Sequence, residues 1–235
     1  MEKKDVKSKR VKIPKTRLQG VYESLQGKKR VLYTKSLTPK KHFFNEDTVT
    51  LDSAEYRRWE PSRSKLAAGI IKGLSQIGIK PRSVVLYLGC SHGYTPSFVS
   101  DIVSNEGFVF GIDSAPRVMR DFVMLCEERK NMAAILADAN QPNSYIHRVS
   151  SVDVVYQDIA QRNQAEIFIK NCDMFLEKGG FGVFCVKARS IDVTKKPKQI
   201  FKDVRDDLEK ELIVVDYRQL DPFEKDHCIF VCKKK

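Results

Sequence analysis

Lys65, Asp158, Lys187 and His227 are the side chains of this 235-residue chain whose types could hold charge and move a proton together. A histidine or a lysine can take up or relay a proton, and a carboxylate can orient a cation beside it. Asp158 ends the apolar run Ser151–Asp158, and Lys187 ends the run from Phe181 to Lys187. Both runs have the length and β-branched content of buried strands. His227 opens the last such run, and Lys65 falls in the first turn of a helix that starts near Pro61. Taken singly, each is an ordinary surface charge or helix-end residue. Their coincidence at strand ends is what sets them apart.

A second group of residues could hold a ligand. Ser83 to Leu88 reads as a buried strand that stops at Gly89, and the spacing Gly89-Cys90-Ser91-His92-Gly93-Tyr94-Thr95 is G-x-x-x-G-x-T. Glycines at such a turn permit close backbone approach. Thr95 and Pro96 suit a helix start, Thr95 as the N-cap and Pro96 in the first turn. The spacing is neither the G-x-G-x-x-G of dinucleotide sites nor the G-x-x-x-x-G-K-[ST] of phosphate loops. A second strand, Gly107 to Asp113, puts a carboxylate 24 positions after Gly89. An acidic residue at that offset can accept from both hydroxyls of a ribose, which points to a nucleoside-containing cofactor.

The elements that must position these groups alternate along the chain. Gly20 to Leu25 and Arg30 to Thr34 form a hairpin across Gln26-Gly27-Lys28, Thr48 to Leu51 adds a strand, and Pro39 to Glu46 is loop. Leu66, Ile70, Ile71, Leu74 and Ile77 recur at helical spacing up to a C-cap at Gly78. Further helices pass through Phe98, Ile102 and Val103, and run from Arg117 to Arg129. Met132 to Leu136 is a strand that leads to Asp138, and Asn163 caps a helix that ends at Gly179-Gly180. A basic loop from Arg189 to Lys198 precedes a helix to about Lys210. The last strands, Leu212 to Leu220 and His227 to Val231, are too close for a parallel crossover and form an antiparallel hairpin at the sheet edge. The sum is an α/β fold, a doubly wound, mostly parallel seven-stranded sheet with a small β-rich domain before it. The expected division is a basic disordered leader at 1–10, a β domain at 11–59 and the α/β domain at 60–235.

Bulk properties narrow the class. Apolar residues make up 42% of the chain, no run approaches a membrane span, and the N-terminus lacks an apolar signal core. Six cysteines occur without a C-x-x-C pair, which suits reduced, buried thiols in a cytoplasmic protein, and no cluster suggests a metal. Net charge is +12, and residues 1–65 carry 18 Lys/Arg against 8 Asp/Glu. That basic stretch, interleaved with Tyr22, Tyr33, Phe43, Phe44, Tyr56 and Trp59, suits a module facing RNA or a partner protein.

Several segments carry a resemblance. Tyr22-Glu23, the stretch Arg57-Arg58-Trp59-Glu60-Pro61-Ser62-Arg63-Ser64-Lys65-Leu66-Ala67-Ala68, Tyr87-Leu88-Gly89, Asp158-Ile159-Ala160-Gln161, Val186-Lys187-Ala188 and Pro222-Phe223-Glu224-Lys225-Asp226-His227 together resemble fibrillarin, in the same order from about Gly20 onward. No Gly/Arg-rich leader precedes the match, so the chain is more similar to the archaeal fibrillarin-like form. The resemblance implies an S-adenosylmethionine-dependent methyltransferase that acts on the ribose 2′-oxygen of rRNA or tRNA. It implies work within a box C/D guide RNA–protein complex, with a Nop-domain scaffold protein and a kink-turn-binding protein. It also implies Lys65, Asp158, Lys187 and His227 as the catalytic group. In that reading Lys187 orients or deprotonates the 2′-OH, Asp158 holds the lysines near the methyl-sulfonium, and His227 orients the ribose or relays a proton. The cofactor then lies on Gly89, Gly93, Tyr94 and Thr95, with Asp113 and Ser114 at its ribose, Asp138 and Ala139 at its adenine, and Asp158 and Gln161 near its methionine end. The chain departs from the family's usual small residues at Cys90-Ser91-His92 and Tyr94, and has Asp113 where Glu is commoner. The rival reading is a non-catalytic RNA–protein scaffold that keeps the fold, and the four intact ionisable residues argue against it.

Overall fold

The computed structural model describes residues 13–235, so the basic leader at 1–10 lies outside the described residues. Two sheets organise them. The first is antiparallel and built from β1 (Val21–Gln26), β2 (Lys29–Lys35), β3 (Thr48–Leu51) and β4 (Ala54–Trp59), in the order β1-β2-β4-β3. The hairpin closes at Gln26 opposite Lys29, with Gly27 in the left-handed region at φ +63°. Strand β4 has no counterpart among the expected elements. Its Arg57 is fully buried, which breaks the polar-out alternation by which a half-buried strand is recognised.

The second sheet has seven strands: β5 (Val84–Leu88), β6 (Phe108–Asp113), β7 (Met132–Leu136), β8 (Val152–Gln157), β9 (Leu176–Lys187), β10 (Leu212–Gln219) and β11 (His227–Lys234). Their order is β10-β11-β9-β8-β5-β6-β7. The pairs among β5, β6, β7, β8 and β9 are parallel, while β11 runs antiparallel to both β9 and β10. Helices α1 (Lys65–Ile71), α2 (Tyr94–Val103) and α3 (Pro116–Glu128) share one core with Val85, Tyr87 and Val109. On the other face α4 (Gln164–Phe175), α5 (Ala188–Ile191) and α6 (Pro197–Glu211) share a core with Leu86, Leu88 and Val155. Alternate residues of β5 thus enter opposite cores, as a strand covered on both sides requires. Strand order reverses between β5 and β8, and the crevice at their carboxyl ends is where such sheets bind ligands.

Four boundaries differ from the periodicity. Helix α1 starts at Lys65, capped by Ser64 Oγ, which accepts from the Ala67 amide at 3.3 Å. It stops at Ile71 because Gly73 turns the chain at φ +91°; Leu74 and Ile77 are still buried, from a loop. Helix α2 is capped by Gly93 in the left-handed region rather than by Thr95. Helix α4 ends at Phe175, and Gly179-Gly180 lies inside β9, where a Cβ on Gly180 would stand 2.9 Å from the Asp153 carbonyl oxygen. The glycines therefore serve strand approach rather than helix termination. The expected basic loop after β9 opens with the short helix α5, and a 3₁₀ helix spans Pro142–Arg148.

The two sheets are joined by buried charge. Arg57 of β4 bonds Glu46 at 2.6 Å and Asp101 of α2 at 2.8 Å, and Arg129 bonds Asp101 at 2.7 Å. Thr34 of β2 donates to the same carboxylate at 2.7 Å. Trp59, fully buried, stacks on Phe98 of α2 with centroids 5.1 Å apart. Among the described residues no helix is long and apolar enough to cross a membrane. All six cysteines are free thiols, and five of them are buried.

Candidate active site

Every residue of the site hangs from the end of a strand or the start of a helix. Gly89 leaves β5 at φ +82°, and a Cβ there would lie 2.4 Å from the Asp158 carbonyl oxygen. Only glycine allows the loop this close to the end of β8. The Asp158 amide donates to the Leu88 carbonyl at 2.9 Å, which fixes the aspartate beside the loop. Lys65, the first residue of α1, reaches across to place Nζ 3.0 Å from each carboxylate oxygen of Asp158. Burial pushes the Lys65 ammonium down, but the Asp158 carboxylate outweighs it and holds it above its ordinary value. Lys65 is therefore a standing cation that fixes Asp158, not a proton acceptor.

Lys187 and His227 face each other across the β9–β11 ladder. Directly opposed residues of an antiparallel pair have Cβ atoms about 5 Å apart, so these side chains emerge together. Gln164 of α4 clamps the lysine backbone: its Oε1 accepts from the Lys187 amide at 3.1 Å and its Nε2 donates to the Lys187 carbonyl at 3.3 Å. His227 Nδ1 lies 2.7 Å from the Lys225 carbonyl, which can only accept. Nδ1 thus carries a proton toward that carbonyl, and in the neutral ring the lone pair falls on Nε2. Lys65, Asp158, Lys187 and His227 line a single cavity of about 1030 Å³, with Gly89, Tyr94 and Thr95. It holds two lysines, one of them paired with Asp158, together with that carboxylate and an imidazole. Such a set can orient a hydroxyl, remove its proton and hold a cationic group beside Asp158.

The remaining expected residues sit elsewhere along the same edge. Asp113, at the end of β6, accepts from the Ser91 amide and from the Ala115 amide, each at 3.0 Å. Asp138 accepts from the Asn140 amide at 2.9 Å, and the Ala139 carbonyl accepts from Asn171 at 2.9 Å. Ser114 and Gln161 are exposed in the loops after β6 and β8. None of these five lines the cavity that holds the ionisable group. Gly93 is also absent from that lining, and a Cβ there would stand 2.5 Å from Leu125 and 2.8 Å from Phe122 of α3.

Tyr94 packs the start of α2 against its surroundings. Its ring meets Phe44 and Phe98 edge-on at 5.4 and 5.1 Å, and the Arg63 guanidinium sits 4.1 Å over it. Its hydroxyl accepts from the Glu60 amide at 3.3 Å, tying α2 to the segment that leads to Lys65. Thr95 adds a second tie, donating to Ser64 Oγ, the α1 cap, at 3.0 Å. Two supports escaped the sequence reading. Ser64 directly precedes the helix and its capping chemistry was legible there, whereas Gln164 reads as any polar residue of a helix's first turn.

Comparisons with known proteins agree with this geometry. The fibrillarin family model matches residues 12–235. The fibrillarin-like rRNA/tRNA 2′-O-methyltransferase of Thermococcus gammatolerans is 46% identical over 226 residues, covering 95% of this chain and 100% of that protein. The structure of Aeropyrum pernix fibrillarin with natively bound S-adenosyl-L-methionine is similar with a TM-score of 0.87 and 38% identity, over 94% of this chain and 98% of that one. A fibrillarin/Nop5p complex contains a chain similar with a TM-score of 0.83 and 37% identity, over 94% of this chain and 100% of that one. This chain belongs to the fibrillarin family.

Proposed function

We propose that this protein is an S-adenosylmethionine-dependent RNA ribose 2′-O-methyltransferase that acts on rRNA and tRNA within a box C/D guide RNA–protein complex. The observation that carries the reading is the single cavity in which the Lys65–Asp158 pair meets Lys187 and His227 beside the Gly89 turn. The chemistry of the residues fits the cofactor. Gly93 caps α2 without a side-chain bond, which leaves first-turn amides for a carboxylate at the positive end of the helix. Asp158 offers negative charge for a sulfonium. Each oxygen of Asp113 accepts one amide and retains a lone pair for ribose hydroxyls. Ser114, Asp138, Ala139 and Gln161 extend that edge toward the remaining parts of the cofactor.

When bound, S-adenosylmethionine supplies the methyl group as an electrophile. The chain's own residues do the rest. Lys65 holds the Asp158 carboxylate oriented. Lys187, fixed at its backbone by Gln164, orients the ribose 2′-OH and takes part in removing its proton. His227 presents Nε2 to the same region, where it positions the ribose or relays the proton. Residues 60–235 form the catalytic part. The basic sheet within 11–59 meets RNA or a partner, a role suited to a Nop-domain scaffold of the Nop5p kind together with a kink-turn-binding protein.

The test is transfer of labelled methyl from S-adenosylmethionine to a target RNA, with the product mapped to ribose or base. The protein is assayed alone and with guide RNA and both partner proteins. Label on a ribose 2′-oxygen in the assembled particle supports the reading. Assembly with cofactor bound and no transfer makes the protein a scaffold instead.

A further inference from the structure

Glu224 belongs to the cavity although none of the roles above uses it. It stands in the turn between β10 and β11, three residues before His227. The Leu220 carbonyl accepts from the Phe223 amide at 2.9 Å and from the Glu224 amide at 3.2 Å, which holds the start of that turn. Asp226 holds its end: its carbonyl accepts from the Ala188 amide at 3.1 Å, and its carboxylate pairs with Arg189 at 3.0 Å. Glu224 is thereby presented to His227, with its Oε2 3.9 Å from Nδ1. Among the described residues His227 is its one ion-pair partner, and the two side chains are only 27% and 11% exposed, so solvent screens the pair weakly.

Both acceptors around the ring gather at one nitrogen. Nδ1 has the Lys225 carbonyl at 2.7 Å and the Glu224 carboxylate at 3.9 Å, which leaves Nε2 to receive a proton from a substrate. A ring that takes this second proton becomes a cation. The other charged groups that face it are Lys187 from β9, Lys65 from α1 and Asp158 after β8. The two lysines oppose the new charge, and Asp158 is already paired with Lys65. Strand β10 ends in the uncharged Gln219, Lys225 meets the ring through its carbonyl, and Asp226 is taken up by Arg189. Glu224 is therefore the carboxylate placed to offset a charge on His227.

We propose, on the reading that this cavity transfers methyl from S-adenosylmethionine to a ribose, that Glu224 is a positioning residue for His227: its carboxylate stabilises the imidazolium that forms when Nε2 takes the 2′-OH proton. In that step a lone pair of the 2′-oxygen forms the new O–C bond, and the methyl's bond to sulfur breaks with its electron pair left on sulfur. The O–H bond breaks with its pair left on oxygen, and the proton goes to Nε2. One positive charge is lost from the sulfonium beside Asp158, and one arises on the ring beside Glu224. The two carboxylates thus serve opposite ends of the same transfer, while Lys187 orients the hydroxyl between them.

The test is ribose methylation by the assembled particle carrying Glu224→Gln, His227→Asn or both, with turnover followed against pH. Glu224→Gln keeps the size of the side chain and removes its charge. Turnover is expected to fall about tenfold at neutral pH, with KM for the RNA and affinity for the cofactor unchanged. Without the carboxylate the imidazolium is less favoured, so the acid limb of the rate profile is expected about one unit lower in pH. Glu224→Asp, which keeps the charge, is expected to leave that limb in place. In the double variant, Glu224→Gln is expected to add no loss to that of His227→Asn. A structural role lowers turnover equally at every pH and adds its loss to that of His227→Asn; either result overturns the proposal, as does full turnover in Glu224→Gln. Absence of methylation by the unaltered particle is instead a failure of the function proposed above.

Discussion

Two aspartates of this protein each sit against a basic side chain, and their surroundings divide structure from chemistry. Asp101 is fully buried, and both of its oxygens are spoken for: Arg129 and the Leu37 amide hold one, Arg57 and Thr34 the other. Asp158 has Lys65 alone among side chains, at 3.0 Å, and its side chain stays 25% exposed to the cavity. A closed network of charge cannot accept a ligand without dismantling itself, whereas an open pair keeps lone pairs free. The first joins the N-terminal sheet to α2 and α3, and the second is available to a substrate. Proximity of opposite charges therefore says little about function until the remaining lone pairs are counted.

That contrast is breakable. Asp101→Ala leaves Arg57 and Arg129 buried without their shared partner, and should cost about 3–5 kcal/mol of stability in denaturant titration. Asp158→Ala, at a partly exposed pair, should cost at most about 1 kcal/mol while abolishing methyl transfer. Similar losses of stability in both variants contradict the distinction.

Activity should divide the other way. Lys65→Met removes the group that fixes Asp158 and should lower turnover about 100-fold, as expected for misplacement of a reacting group. It should do so with little change in melting temperature. A variant with full turnover would demote the Lys65–Asp158 pair to packing.

Acid should act on the closed network. Burial alone would raise the Asp101 carboxyl, but Arg129 and Arg57 outweigh it and hold it below its ordinary value; Glu46 is held low in the same way by Arg57. A depressed carboxylate contributes stability that is present above the unfolded value of about 4 and is lost as pH falls through the lower folded value. Acid unfolding should therefore steepen below about pH 4, and Asp101→Asn should flatten it. The smallest effect belongs to Tyr94→Phe, which deletes one hydrogen bond to the Glu60 amide and keeps the aromatic contacts. It should cost about 1 kcal/mol in a thermal melt.

The same contrast explains what was legible in the sequence. Lys65, Asp158, Lys187 and His227 were readable as a group because strands and their ends follow from apolar runs, and topology brings those ends to one edge. The closed network was not readable. Arg57 and Arg129 look like surface charges, and their burial depends on Asp101, 44 and 28 residues away from them respectively. Burial of Arg57 also hid β4. Helix α1 was read too long because Leu74 and Ile77 keep helical spacing while packing from a loop. Gly180 was read by its local habit as a helix stop, yet it lies inside β9 against the Asp153 carbonyl.

The central claim is that Lys187 and Asp158 do chemistry in a cavity that otherwise only binds. The most direct measurement pairs cofactor affinity with methyl transfer in the assembled particle for Lys187→Ala. The account predicts cofactor affinity within about twofold of the unaltered protein, corresponding to less than 0.5 kcal/mol, and loss of ribose methylation. Cofactor affinity and methylation lost together, or methylation retained, would contradict it.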